Sequence, residues 1–355
     1  MIKNYKLEDI EKNNILQNNK ITTTENKELY GEVLTPFSLI NKILNQIPDE
    51  VFKNPSLKWL DPGAGSGNFT IILYFKLLNN LSDVILNIEE RKVHIIENML
   101  YMVEIRPENI IILKNLFGSK ANIYEENFLN FLYDSRTNNI NSNFFDVIIG
   151  NPPFNCNGKK KVPTNTINSK KQDGSTIWSA FIIKSIGLLK QNTGILCVFI
   201  PSIWLKPDKE RIYYFLTQYD IKNMNCMSNT ETNKIFKGNA QTPSCFFLLT
   251  KKKTDNIINI FDTDINKYID FYLKPNIPIP VFGISIINKL QKYCINLRNN
   301  TNNTIKVIKT NMPPQNTILS KIKTEECQYP NITTCILQKN SKESNIKESQ
   351  LIINY

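Results

Sequence analysis

Between Lys58 and Leu78 the sequence runs from a short apolar strand, Lys58-Trp-Leu60, through a turn with three glycines, Asp61-Pro-Gly-Ala-Gly-Ser-Gly-Asn68, into an apolar helix over 69–78. That order restricts the fold. A helix packed after such a turn carries the chain back across a sheet, so the next strand starts parallel to the first. The same alternation continues: a helix over 89–98, a strand over 100–105, a helix over 107–116, and strands over 121–124 and 145–149. A helix over 178–190, a strand over 194–200, a helix near 209–218 and a strand over 244–250 follow. These readings predict an α/β fold, with a Rossmann-like, mainly parallel sheet, right-handed crossovers and helices on both faces.

Around this core the organisation is simpler. Residues 1–28 read as a polar N-terminal arm, and the alternating domain spans 29–255. Within it Thr35 is expected to cap a helix with Pro36 at its first position, and Ile40, Ile43, Leu44 and Ile47 share one face. Pro275, Pro278 and Pro280 mark 256–281 as a linker. Residues 282–355 form a smaller mixed C-terminal region, whose last segment, 350–355, reads as a strand.

Glycines at Gly63, Gly65 and Gly67 let the backbone pass close to a ligand, and in an open parallel sheet ligands bind beyond the carboxyl ends of the strands. The spacing is neither the GxGxxG of dinucleotide folds nor a P-loop, since no Gly-Lys-Ser/Thr follows. It points to another adenosine ligand. Asp61 ends the first strand on the same side. Glu104 ends the second, where a carboxylate can accept from both ribose hydroxyls.

Asn151-Pro152-Pro153-Phe154 follows the strand over 145–149 directly. Two prolines stiffen the turn and remove two donors, leaving acceptors: the Asn151 side-chain oxygen and the Pro152 carbonyl. Two acceptors on the hydrogens of an aryl amine favour a pyramidal nitrogen with a localised lone pair. Such a nitrogen can take a methyl group from a sulfonium donor by in-line displacement, with no strong base needed beforehand. Phe154 offers a flat face to a base.

The formal net charge is +11 with 43 Lys and Arg residues, which favours nucleic acid or another anionic partner. The loop after Phe154 carries Lys159, Lys160, Lys161, Lys170 and Lys171 against one acid, Asp173, and reads as a phosphate-contacting segment. Residues 282–355 hold ten basic and four acidic side chains. Seven cysteines without a CxxC pair, and no apolar leader or membrane-length run, read as a reduced, intracellular protein: cytoplasmic, or within a host cell or viral factory. Asparagine, roughly one residue in seven, reads as AT-rich coding bias rather than low complexity. His94 is the sole histidine, and no metal site is legible.

On these motifs the chain resembles the amino-methylating DNA methyltransferases of restriction–modification systems, in the subgroup whose cofactor motifs precede Asn-Pro-Pro-Phe. The resemblance runs from about Gly31 to Lys253. It implies the S-adenosylmethionine-dependent methyltransferase fold, with 29–255 as catalytic domain and 282–355 as a partial or small target-recognition region. It implies that Asn151, Pro152, Pro153 and Phe154 form the catalytic motif, and that Thr35 holds the cofactor's methionine carboxylate. The rest of the implied cofactor site is Asp61, Gly63, Gly65, Gly67, Asn68, Phe69, Glu104, Asn127 and Phe128. Asn127 stands where the family usually has aspartate, so it accepts without a charge-assisted gain. The implied reaction is methyl transfer from S-adenosyl-L-methionine to N6 of a flipped-out adenine in double-stranded DNA. Alternatives are an RNA-adenine, cytosine-N4 or protein-glutamine methyltransferase, or a catalytically weak cofactor- and DNA-binding subunit. The expected partners are DNA and, for site recognition, a specificity subunit or a C-terminal extension.

Overall fold

The computed structural model describes residues 2–4, 30, 33–132, 143–156, 175–207, 211–240, 242–290, 292, 331–337 and 348–354. The chain divides into two units, Met1–Lys292 and Tyr293–Tyr355. In the first unit the strands are β1 (Trp59–Asp61), β2 (Leu100–Glu104), β3 (Asn122–Glu125), β4 (Val147–Gly150), β5 (Asn155–Cys156), β6 (Ser175–Thr176), β7 (Ile195–Pro201), β8 (Tyr219–Met227), β9 (Ser244–Lys253), β10 (Ile257–Asp262) and β11 (Lys267–Tyr272). The helices are α1 (Phe37–Leu44), α2 (Asp49–Phe52), α3 (Asn68–Asn80), α4 (Ile88–His94), α5 (Pro107–Phe117), α6 (Trp178–Leu188), α7 (Ile212–Thr217) and α8 (Asn229–Ile235).

Nine strands form one sheet in the order β11-β10-β8-β9-β7-β4-β1-β2-β3. The run β7-β4-β1-β2-β3 is parallel throughout, while β9 is antiparallel to both its neighbours. From β1 the chain builds outward through β2 and β3, then crosses back to place β4 on the other side of β1. Strand order therefore reverses between β1 and β4, and a crevice opens beyond their carboxyl ends. Asp61 ends β1 and Gly150 ends β4.

Side-chain alternation along the central strands feeds two cores. Trp59, Leu100, Met102, Val147, Ile149, Cys197 and Phe199 join α1, α3 and α5 on one face. Leu60, Tyr101, Val103, Ile148, Leu196, Val198 and Ile200 join α6 and α7 on the other. Because both faces are covered, β1, β2 and β4 are buried at every residue, which is why they read as apolar runs rather than alternating strands.

The structure corrects several expectations. Helix α1 begins at Phe37 with Pro36 as its N-cap and no side-chain cap, so Thr35 does not cap it. The helix expected over 89–98 is α4 followed by a π turn, Ile95–Met99. Strand β8 and helix α8 are additional to those expectations, although Ser228 and Glu231 form a capping box that marks the start of α8 in the sequence. In β8, Asp220, Lys222, Asn223 and Asn225 break the apolar pattern, and two register shifts interrupt its pairing with β9. Segment 256–281 is not a plain linker, because β10 and β11 form a hairpin that extends the sheet. The proline stretch is tied down where Ile279 N–H donates to the Leu205 carbonyl at 2.9 Å.

In the second unit, β12 (Asn331–Leu337) pairs antiparallel with β13 (Glu348–Asn354), so the expected terminal strand has its partner within the unit. Cys197, Cys226 and Cys245 are buried free thiols. Among the described residues there is no His/Cys/Asp/Glu cluster able to hold a metal ion, and no helix is long and apolar enough to cross a membrane. Lys159, Lys160, Lys161, Lys170, Lys171 and most of the 1–28 arm lie outside the described residues.

Candidate active site

The glycine turn is held by its own backbone. Ala64 N–H donates to the Val103 carbonyl at 3.1 Å, and Gly67 N–H to the Ala64 carbonyl at 2.8 Å. Gly65 has φ +55° and Gly67 φ +94°, a region that favours glycine. Gly65 N–H donates to Glu104 Oε2 at 2.7 Å, and Glu104 Oε1 accepts from Arg106 N–H at 2.9 Å. The carboxylate expected at the ribose thus also braces the turn and the start of α5.

Asp61 is buried beneath the turn. Its Oδ2 accepts from Thr70 Oγ1 at 3.2 Å, and its Oδ1 from Gly63 N–H at 3.4 Å. Burial pushes its carboxyl up to about 7, with nearby Glu104 adding to the shift and the two hydrogen bonds opposing it. Gly150 packs on the same carboxylate. It has φ +149°, and a Cβ there would stand 3.2 Å from Asp61 Oδ1 and 3.5 Å from Pro62 Cδ. Glycine is what allows β4 to pass this close to β1 before it delivers Asn151.

Asn151 follows at the mouth of the crevice. Its Nδ2 donates to Thr35 Oγ1 at 3.1 Å, while Asn68 Nδ2 donates to the Thr35 carbonyl at 2.9 Å. The Oδ1 atoms of Asn151 and Asn68, and Ser66 Oγ, are buried and make no hydrogen bond. Buried acceptors without donors are costly, and they mark a place where a ligand would supply N–H or O–H groups. Pro153 faces Gly63: a Cβ on that glycine would lie 3.7 Å from Pro153 Cδ and 4.0 Å from Phe181 Cε1. Phe154 stacks on Phe199 with centroids 6.2 Å apart, and its carbonyl accepts from Ile177 N–H at 3.2 Å. Phe154 is half-buried and packs against both hydrophobic cores.

Thr35, Asn68 and Asn151 thus meet in one cluster, Gly65 and Glu104 in a second, and Asp61, Gly63 and Gly150 in a third. The remaining expected residues are placed differently. Phe69 and Phe128 lie in the two hydrophobic cores, Phe128 stacking on Phe131 and packing against Phe181. Asn127 Oδ1 accepts from Leu129 N–H at 3.0 Å and shapes the turn after β3. Sequence reasoning missed Gly150, Thr70 and Phe181. Only Gly150, standing between a β-rich run and Asn-Pro-Pro, carried a readable signal.

Residues 79–236 match the model of the Eco57I restriction-modification methylase family, a span that includes Glu104 and Asn151 to Phe154 and begins after the glycine turn. An adenine-specific methylase of Mycoplasma pneumoniae is 23% identical over a stretch covering 49% of this chain and 56% of the relative. Of solved structures, the Type ISP restriction-modification enzyme LlaBIII bound to DNA is similar at TM-score 0.53 and 15% identity, over 76% of this chain and 24% of its own. A type I restriction-modification methyltransferase subunit from Streptococcus thermophilus is similar at TM-score 0.43 and 17% identity, over 75% of this chain and 53% of its own. The chain thus spans about half the length of the Mycoplasma and Streptococcus proteins. The described sheet is thus similar in fold to that of LlaBIII, and the match to the restriction-modification methylase family covers somewhat less than half of this chain.

Proposed function

We propose that this chain transfers a methyl group from S-adenosyl-L-methionine to N6 of an adenine flipped out of double-stranded DNA. The observation that carries the reading is Asn151 Oδ1, a buried acceptor without a donor, on a proline-stiffened turn beside a glycine cradle. The match of 79–236 to the restriction-modification methylase family and the adenine-specific name of the Mycoplasma relative support adenine as the target. The DNA in the LlaBIII structure supports the polymer.

The residues present fit the cofactor. Gly65 and Gly67 open the turn, Glu104 ends β2 where ribose hydroxyls would lie, and Asn68 Oδ1 and Ser66 Oγ are acceptors suited to an ammonium. Thr35, at the same cluster, keeps a hydroxyl proton to donate to a carboxylate. When bound, S-adenosylmethionine supplies an electrophilic methyl group on a sulfonium sulfur. Asn151 Oδ1 and the Pro152 carbonyl hold the hydrogens of the target amine and direct its lone pair at that methyl group. Charge develops on the nitrogen as it is methylated, so acceptors fixed in advance act on the transition state more than on the ground state. Phe154, half-buried, offers the exposed part of its ring to the base. The lysines after it neutralise phosphates. Target choice rests on 282–355 together with a specificity subunit or additional chain.

The test is transfer of labelled methyl groups from the cofactor to duplex DNA, RNA and protein, followed by nucleoside analysis. Label in N6-methyladenine of duplex DNA supports the reading. Label in N4-methylcytosine, RNA or glutamine assigns one of the other amine substrates instead.

A further inference from the structure

We propose that Thr35 is a positioning residue that fixes the Asn151 amide with its oxygen, not its nitrogen, toward the target amine; this rests on the function proposed above. The two ends of a side-chain amide have nearly the same shape, so packing alone does not choose between them. The choice matters, because a reversed Asn151 would set N–H donors against the donors of the amine. Thr35 is buried, with 4% of its surface exposed, and offers two acceptors. Its carbonyl takes Asn68 Nδ2 at 2.9 Å, and its hydroxyl oxygen takes Asn151 Nδ2 at 3.1 Å. A carbonyl can only accept, so Asn68 is held nitrogen-inward without ambiguity. A hydroxyl both donates and accepts, so the Thr35 side chain selects the Asn151 nitrogen when its own proton is given to the cofactor carboxylate assigned to it above; both Oδ1 atoms are then left without hydrogen bonds. Thr35, two residues ahead of α1, therefore ties the first residue of α3 to the residue after β4 and turns both amides into acceptors. The backbone hydrogen bond to Asn68 survives any side-chain change at Thr35. The hydroxyl hydrogen bond to Asn151 does not.

Thr35→Val is close to isosteric; it removes the hydrogen bond to Asn151 and the hydroxyl donor assigned to the cofactor carboxylate, and keeps the backbone hydrogen bond to Asn68. Single-turnover transfer to DNA is measured at saturating cofactor, with cofactor affinity measured separately by calorimetry. Thr35→Val lowers the rate constant about tenfold or more even when cofactor is saturating, whereas Thr35→Ser stays within about threefold of the parent. In an Asn151→Asp background the same Thr35→Val change costs no more than about threefold, because a carboxylate has no donor end to misplace. An equal loss in both backgrounds, or a loss abolished by raising the cofactor concentration, overturns the proposal. Unfolding midpoints of the parent, Thr35→Val, Asn151→Ala and the double variant test the hydrogen bond without any turnover. Coupled shifts support it and independent shifts refute it. Absence of methyl transfer by the parent chain would instead count against the proposed function.

Discussion

The glycines of the turn after β1 should fail in different ways when a methyl group is added, and Gly67→Ala is the severe case. Gly67 has φ +94°, and an added Cβ would lie 2.9 Å from Leu113 Cδ2 and 3.6 Å from Phe117 Cε2. A residue with a side chain held at such a φ costs about 1–2 kcal/mol. Leu113 is fully buried on α5, so it must find a new rotamer in a filled core, at about 1–3 kcal/mol. The sum, about 2–5 kcal/mol, is a large part of the stability of a domain. Gly63→Ala is the control. Its φ is not positive and its new Cβ would meet only ordinary van der Waals neighbours, the nearest at 3.7 Å, so stability should change by less than about 1 kcal/mol. Urea titration of both variants reads the difference as a shift of midpoint at unchanged slope. A Gly67→Ala protein as stable as the parent, or a Gly63→Ala protein destabilised as much, would refute the reasoning.

Gly65→Val should remove cofactor binding from a folded protein, since a β-branched residue is strained at φ +55° and the Gly65 N–H to Glu104 Oε2 hydrogen bond would be displaced; calorimetry with unchanged affinity would contradict this. Asp61 gives a pH signature. Its carboxyl is raised from 3.8 to about 7, so its contribution to stability is complete below pH 3.8 and is lost as pH rises through about 7, on the order of 4 kcal/mol in total. Asp61→Asn should flatten stability against pH over that window, and an unchanged profile would show the burial cost to be absent. Replacing Lys159, Lys160, Lys161, Lys170 and Lys171 by Gln should make the plot of log affinity for DNA against log salt less steep, by about 0.9 for each phosphate that is no longer neutralised. An unaltered slope would remove this loop from the DNA interface.

The half of the fold that carries the site was legible because its strands are covered on both faces. Trp59-Leu60, Leu100 to Val103 and Val147 to Ile149 are apolar without interruption, and a glycine or proline turn closes each unit sharply. The other half was not. In β8 asparagines and charged residues interrupt the apolar pattern of a strand with register shifts, and Asn223 takes φ +53° at one of them. Ahead of the prolines that read as a linker, β10 alternates, with Ile258, Ile260 and Asp262 buried, and pairs with β11 in a hairpin. At the site, residue identities were readable but partnerships were not. Thr35 had a plausible local use as a helix cap, and only the tertiary fold brings it to Asn151, 116 residues away. Gly150 is demanded by Asp61, a close approach of two strands that no local pattern encodes.

The most direct test of the account is the Asn151→Ala variant, measured for cofactor affinity and for single-turnover methyl transfer on the same preparation. Asn151 lies outside the glycine turn and its side chain donates to Thr35, so the variant should fold and bind S-adenosylmethionine within about threefold of the parent. Its Oδ1 is the acceptor assigned to the target amine, so transfer should fall on the order of a hundredfold or more. Near-normal transfer by a variant that binds cofactor normally would contradict the claim that Asn151 holds the amine.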